Sequence, residues 1–82
     1  MVDVREPAEF REGHVPGAIN IPMGQLNARL GELDRGRPVH VVCATGNRSR
    51  AMTDVLTANG FDAINVAGGT SAWLRSGRPI EK

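Results

Sequence analysis

The sequence lacks most of the features that announce a function early. It holds one cysteine, Cys43, in 82 residues, so the chain can close no disulfide within itself and cannot build a zinc cluster on thiolates. No run approaches the roughly 18 consecutive apolar residues of a membrane span. The opening MVDVREPAEF alternates charged with apolar groups where a signal peptide would place its apolar core. A soluble, cytoplasmic protein with no membrane partner is the expectation. Excess charge is missing too: ten Lys plus Arg stand against nine Asp plus Glu, a formal charge of +1. A dedicated nucleic-acid binder would show a clustered basic face and a pI above roughly 9, so nucleic acid is excluded as a partner. Repeats, low-complexity tracts and linkers are absent. A chain this short makes one domain, residues 1–82, whose core buries roughly 60% of the unfolded surface.

What is present is rhythm. Short β-branched runs alternate with helical patterns, the signature of βαβ units and a mostly parallel sheet. Strands are expected at Met1 to Val4, Ala18 to Ile21, Val39 to Ala44 and Ala63 to Ala67. Pro7 suits a first helical position, and Ala8 to Arg11 can complete one short turn before Gly13. Leu26, Leu30 and Leu33 recur at i, i+4 and i+7, which predicts an amphipathic helix over Met23 to Leu33. A further helix should begin within Asn47 to Ser49 and run to Asn59, burying Ala51, Met52, Val55 and Leu56. Gly60 then takes the left-handed terminal position, with Phe61 packing back. The last helix spans Ser71 to Arg75. A first strand starting at residue 1 leaves the sheet edge beside it exposed, which suggests an N-terminal strand that is missing or supplied elsewhere.

The most informative segment is VHVVCATGNRSR, residues 39–50. A buried strand runs into Cys43, a turn and a helix start, so the thiol lies where unpaired N–H groups and the helix dipole converge. A lone cysteine is ordinarily small apolar packing. Here the setting favours reactivity, because helix N-termini and nearby cations lower a thiol's pKa and expose the nucleophilic thiolate. Gly46 lets the loop curl, while Arg48 and Arg50 add positive charge toward an anionic substrate or leaving group.

Four ordered motifs resemble the rhodanese-homology family over Asp3 to Pro79. They are Asp3-Val4-Arg5-Glu6; Gly13 to Pro22, GHVPGAINIP; the loop Cys43 to Ser49, CATGNRS; and Gly68-Gly69 with Ala72-Trp73. The resemblance implies a three-layer α/β/α fold with a mostly parallel four- to five-stranded sheet. It also implies a sulfurtransferase in which Cys43 carries a sulfane sulfur as a persulfide, bound among Ala44, Thr45, Gly46, Asn47 and Arg48. Thiosulfate or a persulfide would be the donor, and a thiol, cyanide or a protein the acceptor. No metal or organic cofactor is called for. Two rivals are a non-catalytic module for partner binding and a cysteine phosphatase or arsenate reductase. Retention of the cysteine opposes the first. The related phosphatases have a loop one residue longer, whereas Cys43 and Arg48 enclose only four residues, a cradle sized for one sulfur atom. Ala44 stands where thiosulfate-using members place an arginine, and the family's usual first strand and helix have no counterpart before Met1.

Other residues read as structural. His14, between turn residues, is expected to hydrogen-bond locally, and His40 to face away from Val39 and Val41. Asp3 and Arg5 either line the rim of the site or form an internal ion pair. Trp73, Met23 and Met52 are expected in the core.

Overall fold

The computed structural model describes all 82 residues, Met1–Lys82. Four short strands, β1 (Val2–Asp3), β2 (Ile19–Asn20), β3 (Val39–Val42) and β4 (Ala63–Asn65), form one sheet in the order β2-β1-β3-β4. Every pairing is parallel. The helices are α1 (Pro7–Glu12), α2 (Asn47–Ala58) and α3 (Gly69–Arg75). The architecture is α/β, with the sheet covered on one face by α2 and the segment between β2 and β3.

Register explains the core. Val2 lies opposite Val41 and Asp3 opposite Val42, so Val2, Val4, Val39, Val41 and Cys43 point to a single face. There they pack with Ile21, Leu26, Leu56 and Phe61. On the other face, Asp3 and Val42 are buried, whereas His40 and Ile64 are exposed. The covered part of that face lies toward the carboxyl ends of the strands, below α1 and the start of α3.

The strands are shorter than the apolar runs that encode them, although flanking residues still bond across the sheet, the Val4 N–H to the Val42 carbonyl and the Val66 N–H to that of Val41. β1 is an interior strand, paired on both sides. The expectation of an open edge beside it was therefore misplaced, and the free edges belong to β2 and β4. Local patterning could not reveal this, since strand order is set by crossovers, not by sequence order. Met23 to Leu33 does not form one α-helix. It makes two 3-10 segments, Met23–Gln25 and Asn27–Glu32, with Arg29 outside helical dihedrals at φ −119°. Gly24, Asn27 and Gly31 weaken α-helix here, yet the leucine stripe still works: Leu26 is fully buried, and Leu30 and Leu33 pack against the core.

The C-terminus of α2 follows its sequence signals. Gly60 adopts φ 85°, its N–H donates to the Thr57 carbonyl, and the Phe61 N–H donates to that of Leu56. This double closure is a Schellman motif with the Phe61 and Leu56 side chains in contact across it. The buried side of α2 differs from expectation at one position. Ala51 is exposed and Ser49 is fully buried in its stead, because the Ser49 hydroxyl faces Cys43 at the end of β3. α3 begins two residues before Ser71, its N-cap Gly68 and first residue Gly69 both at positive φ. Trp73 is only half-buried and lies outside the core. Its indole N–H donates to the Pro79 carbonyl at 2.7 Å, and Arg78 stacks on its ring, so it fastens the C-terminal segment. Met23 is likewise exposed.

Asp3 and Arg5 form a buried ion pair. Arg5 Nε and Nη2 donate to the two carboxylate oxygens at 3.0 and 2.8 Å, and Nη2 also donates to the Gly13 carbonyl. The pair thereby ties β1 to the end of α1. Replacing Asp3 by Asn leaves a guanidinium that is 6% exposed without its counter-charge, an arrangement that costs about 3–5 kcal/mol. Urea denaturation of Asp3→Asn is expected to show a loss of that size, and a loss near zero would mean that the pair is dispensable.

Candidate active site

Cys43 follows β3 directly, and after three intervening residues α2 begins at Asn47, with Gly46 at φ 107° as its N-cap. The loop is thus Ala44–Gly46, and Asn47 and Arg48 already belong to the helix. The Gly46 N–H donates to Cys43 Sγ at 3.1 Å, and Ser49 Oγ lies 3.3 Å from the same sulfur. Burial pushes the Cys43 thiol up. Hydrogen bonds that the thiolate can accept from the Ser49 hydroxyl and from the backbone N–H groups of Ser49, Gly46 and Thr45 outweigh this and hold it below its ordinary value. The side chain is only 1% exposed and also counts as part of the core, so its sulfur sits at the floor of the loop.

The orientation of the loop amides is set from outside. The N–H groups of Thr70 and Ser71 donate to the carbonyls of Cys43 and Ala44, both at 2.9 Å. With the Ala44 carbonyl drawn toward α3, the peptide plane it shares with the Thr45 N–H is fixed, and that N–H is one of the donors to the sulfur. Gly69 makes the approach possible. A Cβ there would collide with the Cys43 carbonyl oxygen and come within 2.7 Å of that of Ala44, at a φ of +58° that side chains rarely adopt.

The cations of the site are occupied. Arg48 donates from Nη1 and Nη2 to the two carboxylate oxygens of Glu9 at 2.7 and 2.9 Å. The expectation that Arg48 offers its charge to an anion is corrected accordingly, and Arg50 is exposed on α2. Glu9 is held in place by α1 itself, whose capping box has Glu9 Oε1 accepting from the Glu6 N–H. Arg5, the other guanidinium near the strand ends, is spent on Asp3. His14 takes no part. Its Nδ1 donates to the Phe10 carbonyl at 2.9 Å and its ring stacks on Phe10 at 3.7 Å. Three residues escaped the sequence reading as contributors here: Ser49, Glu9 and Asn65, whose Oδ1 accepts from the Ser49 hydroxyl at 2.5 Å. Only the helical offset of Ser49 from Cys43 was available as a signal.

A buried sulfur that accepts from a loop amide, at the carboxyl end of an interior parallel strand, defines an α/β domain with a cysteine loop between strand and helix. The sequence matches the Rhodanese-like domain family over residues 1–76, and the chain belongs to that family. It is 37% identical over 81 residues to a sulfurtransferase of Allochromatium vinosum, an alignment covering 98% of this chain and 76% of that one. A rhodanese-related protein from Thermoplasma volcanium is similar in structure at a TM-score of 0.93 and 38% identity, over 99% of this chain and 82% of that one. A rhodanese-like domain protein from Staphylococcus aureus matches at a TM-score of 0.85 and 42% identity, over 88% and 71%. No helix is long and apolar enough to cross a membrane.

The Glu9–Arg48 pair makes stability pH-dependent. Its hydrogen bonds from Arg48 hold the Glu9 carboxyl at about 2, down from 4.5. A carboxyl depressed by folding stabilises above its unfolded value and loses that contribution as pH falls toward the folded one. Urea midpoints taken between pH 4.5 and 2 are expected to fall more steeply for the wild type than for Glu9→Gln. Parallel curves would remove the pair from the stability account; its half-exposed setting keeps the effect modest.

Proposed function

We propose that this single rhodanese-like domain, residues 1–82, is a sulfurtransferase that works through a persulfide on Cys43, bound among Ala44, Thr45 and Gly46 of the loop and Asn47 and Arg48 at the start of α2. The observation that carries the reading is the convergence of the Gly46 N–H and Ser49 hydroxyl on one sulfur. The sulfurtransferase among its relatives supports it. In the first half-reaction the Cys43 thiolate attacks the outer sulfur of the donor. A bond forms from Sγ to that sulfur, the donor's sulfur–sulfur bond breaks, and sulfite or a thiolate leaves with the electron pair. The negative charge then rests on the outer sulfur of the persulfide, facing the N–H donors, which act as a preformed anion hole. In the second half-reaction a thiol, cyanide or a protein nucleophile attacks that outer sulfur, and Sγ departs as thiolate. The chain contains no second cysteine, so the acceptor comes from outside, and turnover is double displacement. The cytoplasm is the setting this chemistry suits.

Charge narrows the choice of donor. Arg48 is neutralised by Glu9, and Ala44 contributes no cation. A dianion such as thiosulfate therefore meets N–H dipoles alone, whereas a persulfide of lower charge needs nothing more. Depth narrows it further, because a cysteine that is 1% exposed can be reached only by a donor whose sulfane sulfur projects.

Intact mass after incubation with a persulfide or thiosulfate is expected to rise by one sulfur atom, and Cys43→Ser to abolish the gain. Failure of the wild type to gain sulfur from any donor sinks the reading. The Ala44→Arg variant is expected to raise kcat/KM for thiosulfate by about tenfold, the factor expected when one charge-assisted hydrogen bond contributes about 1.4 kcal/mol. An unchanged value would show that charge does not limit thiosulfate use.

A further inference from the structure

Ser49 has one hydroxyl proton and two acceptors in reach. Its Oγ lies 3.3 Å from Cys43 Sγ and 2.5 Å from Asn65 Oδ1, and a hydroxyl donates only once. The shorter contact joins two oxygens, of which only Ser49's carries a hydrogen, so the proton lies between them. The amide orientation is fixed from the other side, since Asn65 Nδ2 faces the Gly46 carbonyl at 3.4 Å; turning the amide over would set two carbonyl oxygens against each other. With its proton committed to Asn65, Ser49 shows Cys43 a lone pair. That arrangement fits a protonated sulfur, with the thiol donating to Ser49 and Ser49 to Asn65. A bare thiolate instead needs the Ser49 proton swung onto Sγ, at the expense of the bond to Asn65.

We propose that Asn65 is a positioning residue that governs which way the Ser49 hydroxyl donates, and through it how well negative charge is tolerated on Cys43 Sγ. Asn65 draws the proton away when Sγ carries no charge, as in the thiol and, on the sulfur-transfer reading on which this step rests, in the persulfide, whose charge sits on the outer sulfur. When Sγ departs as thiolate, Ser49 turns to it. Asn65 therefore favours the loaded protein over the discharged one. The charged groups around Cys43 are Arg48 on α2, Glu9 on α1 and the Asp3–Arg5 pair at the end of β1. They are already paired with one another and leave the proton of Ser49 as the adjustable element.

The test is to titrate Cys43 by its ultraviolet thiolate band, which is clean because the chain has no tyrosine. Asn65→Val suits a strand position and frees the Ser49 proton for the sulfur. The titration midpoint is expected to fall by about one pH unit, the effect of one added hydrogen bond to the charged form. Ser49→Ala is expected to raise it, and Asn65→Val added to Ser49→Ala to change nothing further. Asn65→Ala in the same two backgrounds carries the test if the valine variant does not fold. A midpoint that stays or rises in Asn65→Val, or falls equally without Ser49, overturns the proposal. The fraction of protein loaded with sulfur at a fixed ratio of donor to acceptor is expected to drop several-fold in Asn65→Val, and an unchanged fraction would overturn the persulfide part. Should wild type load no sulfur at all, the sulfur-transfer reading fails, while the titration still decides what Asn65 does.

Discussion

The site depends on a backbone seam between two elements that lie far apart in the chain. The N–H groups of Thr70 and Ser71 hold the carbonyls of Cys43 and Ala44. Each of these is a buried or half-buried group whose unmade hydrogen bond would cost about 1–3 kcal/mol. While the seam is closed, the peptide plane between Ala44 and Thr45 is held, and the Thr45 N–H stays among the donors to the sulfur. Gly69 is the residue on which the seam turns, since any side chain there would occupy the space of the carbonyls it must approach. The double glycine at the start of α3 serves the cysteine, at a sequence separation of twenty-six residues.

A second layer of constraint is electrostatic. Both guanidinium groups near the carboxyl ends of the strands are matched by carboxylates, Arg5 by Asp3 and Arg48 by Glu9. Each pair also spans two elements, β1 with the end of α1 in one case and α2 with α1 in the other. The cations therefore serve to hold α1 over the site, and the field at Cys43 comes mainly from N–H dipoles. Such a field stabilises a single negative charge spread on sulfur. It gives little extra to a second one.

Much of this was legible in the sequence, and the rest was hidden for identifiable reasons. The βαβ rhythm, the Pro7 helix start, the closure of α2 at Gly60 and Phe61 and the place of Cys43 at a strand end are local patterns, and local patterns survive folding. The leucine stripe named the right buried side chain, Leu26, while missing that glycines would tighten the segment into 3-10 turns. Strand order, the open faces of Ala51 and Met23 and the role of Trp73 are set by crossovers and by contacts with distant residues. The partners of the site belong to the same class. Glu9 meets Arg48 across 39 positions and Ser49 meets Asn65 across 16. Nothing in the spacing of a single sequence encodes such meetings.

Cys43 belongs at once to the apolar core and to the polar loop, and the two memberships oppose each other. Packing beside Val2, Val41 and Leu56 raises the cost of charge on its sulfur, whereas the donors of Thr45, Gly46 and Ser49 lower it. A thiol in hydrocarbon alone would be inert, and one in water alone would be exposed to indiscriminate oxidation. Burial shields the sulfur from chance oxidants, and the amides make up the solvation that burial removes. Shielding and stabilisation are thus both served by the same few residues around the sulfur.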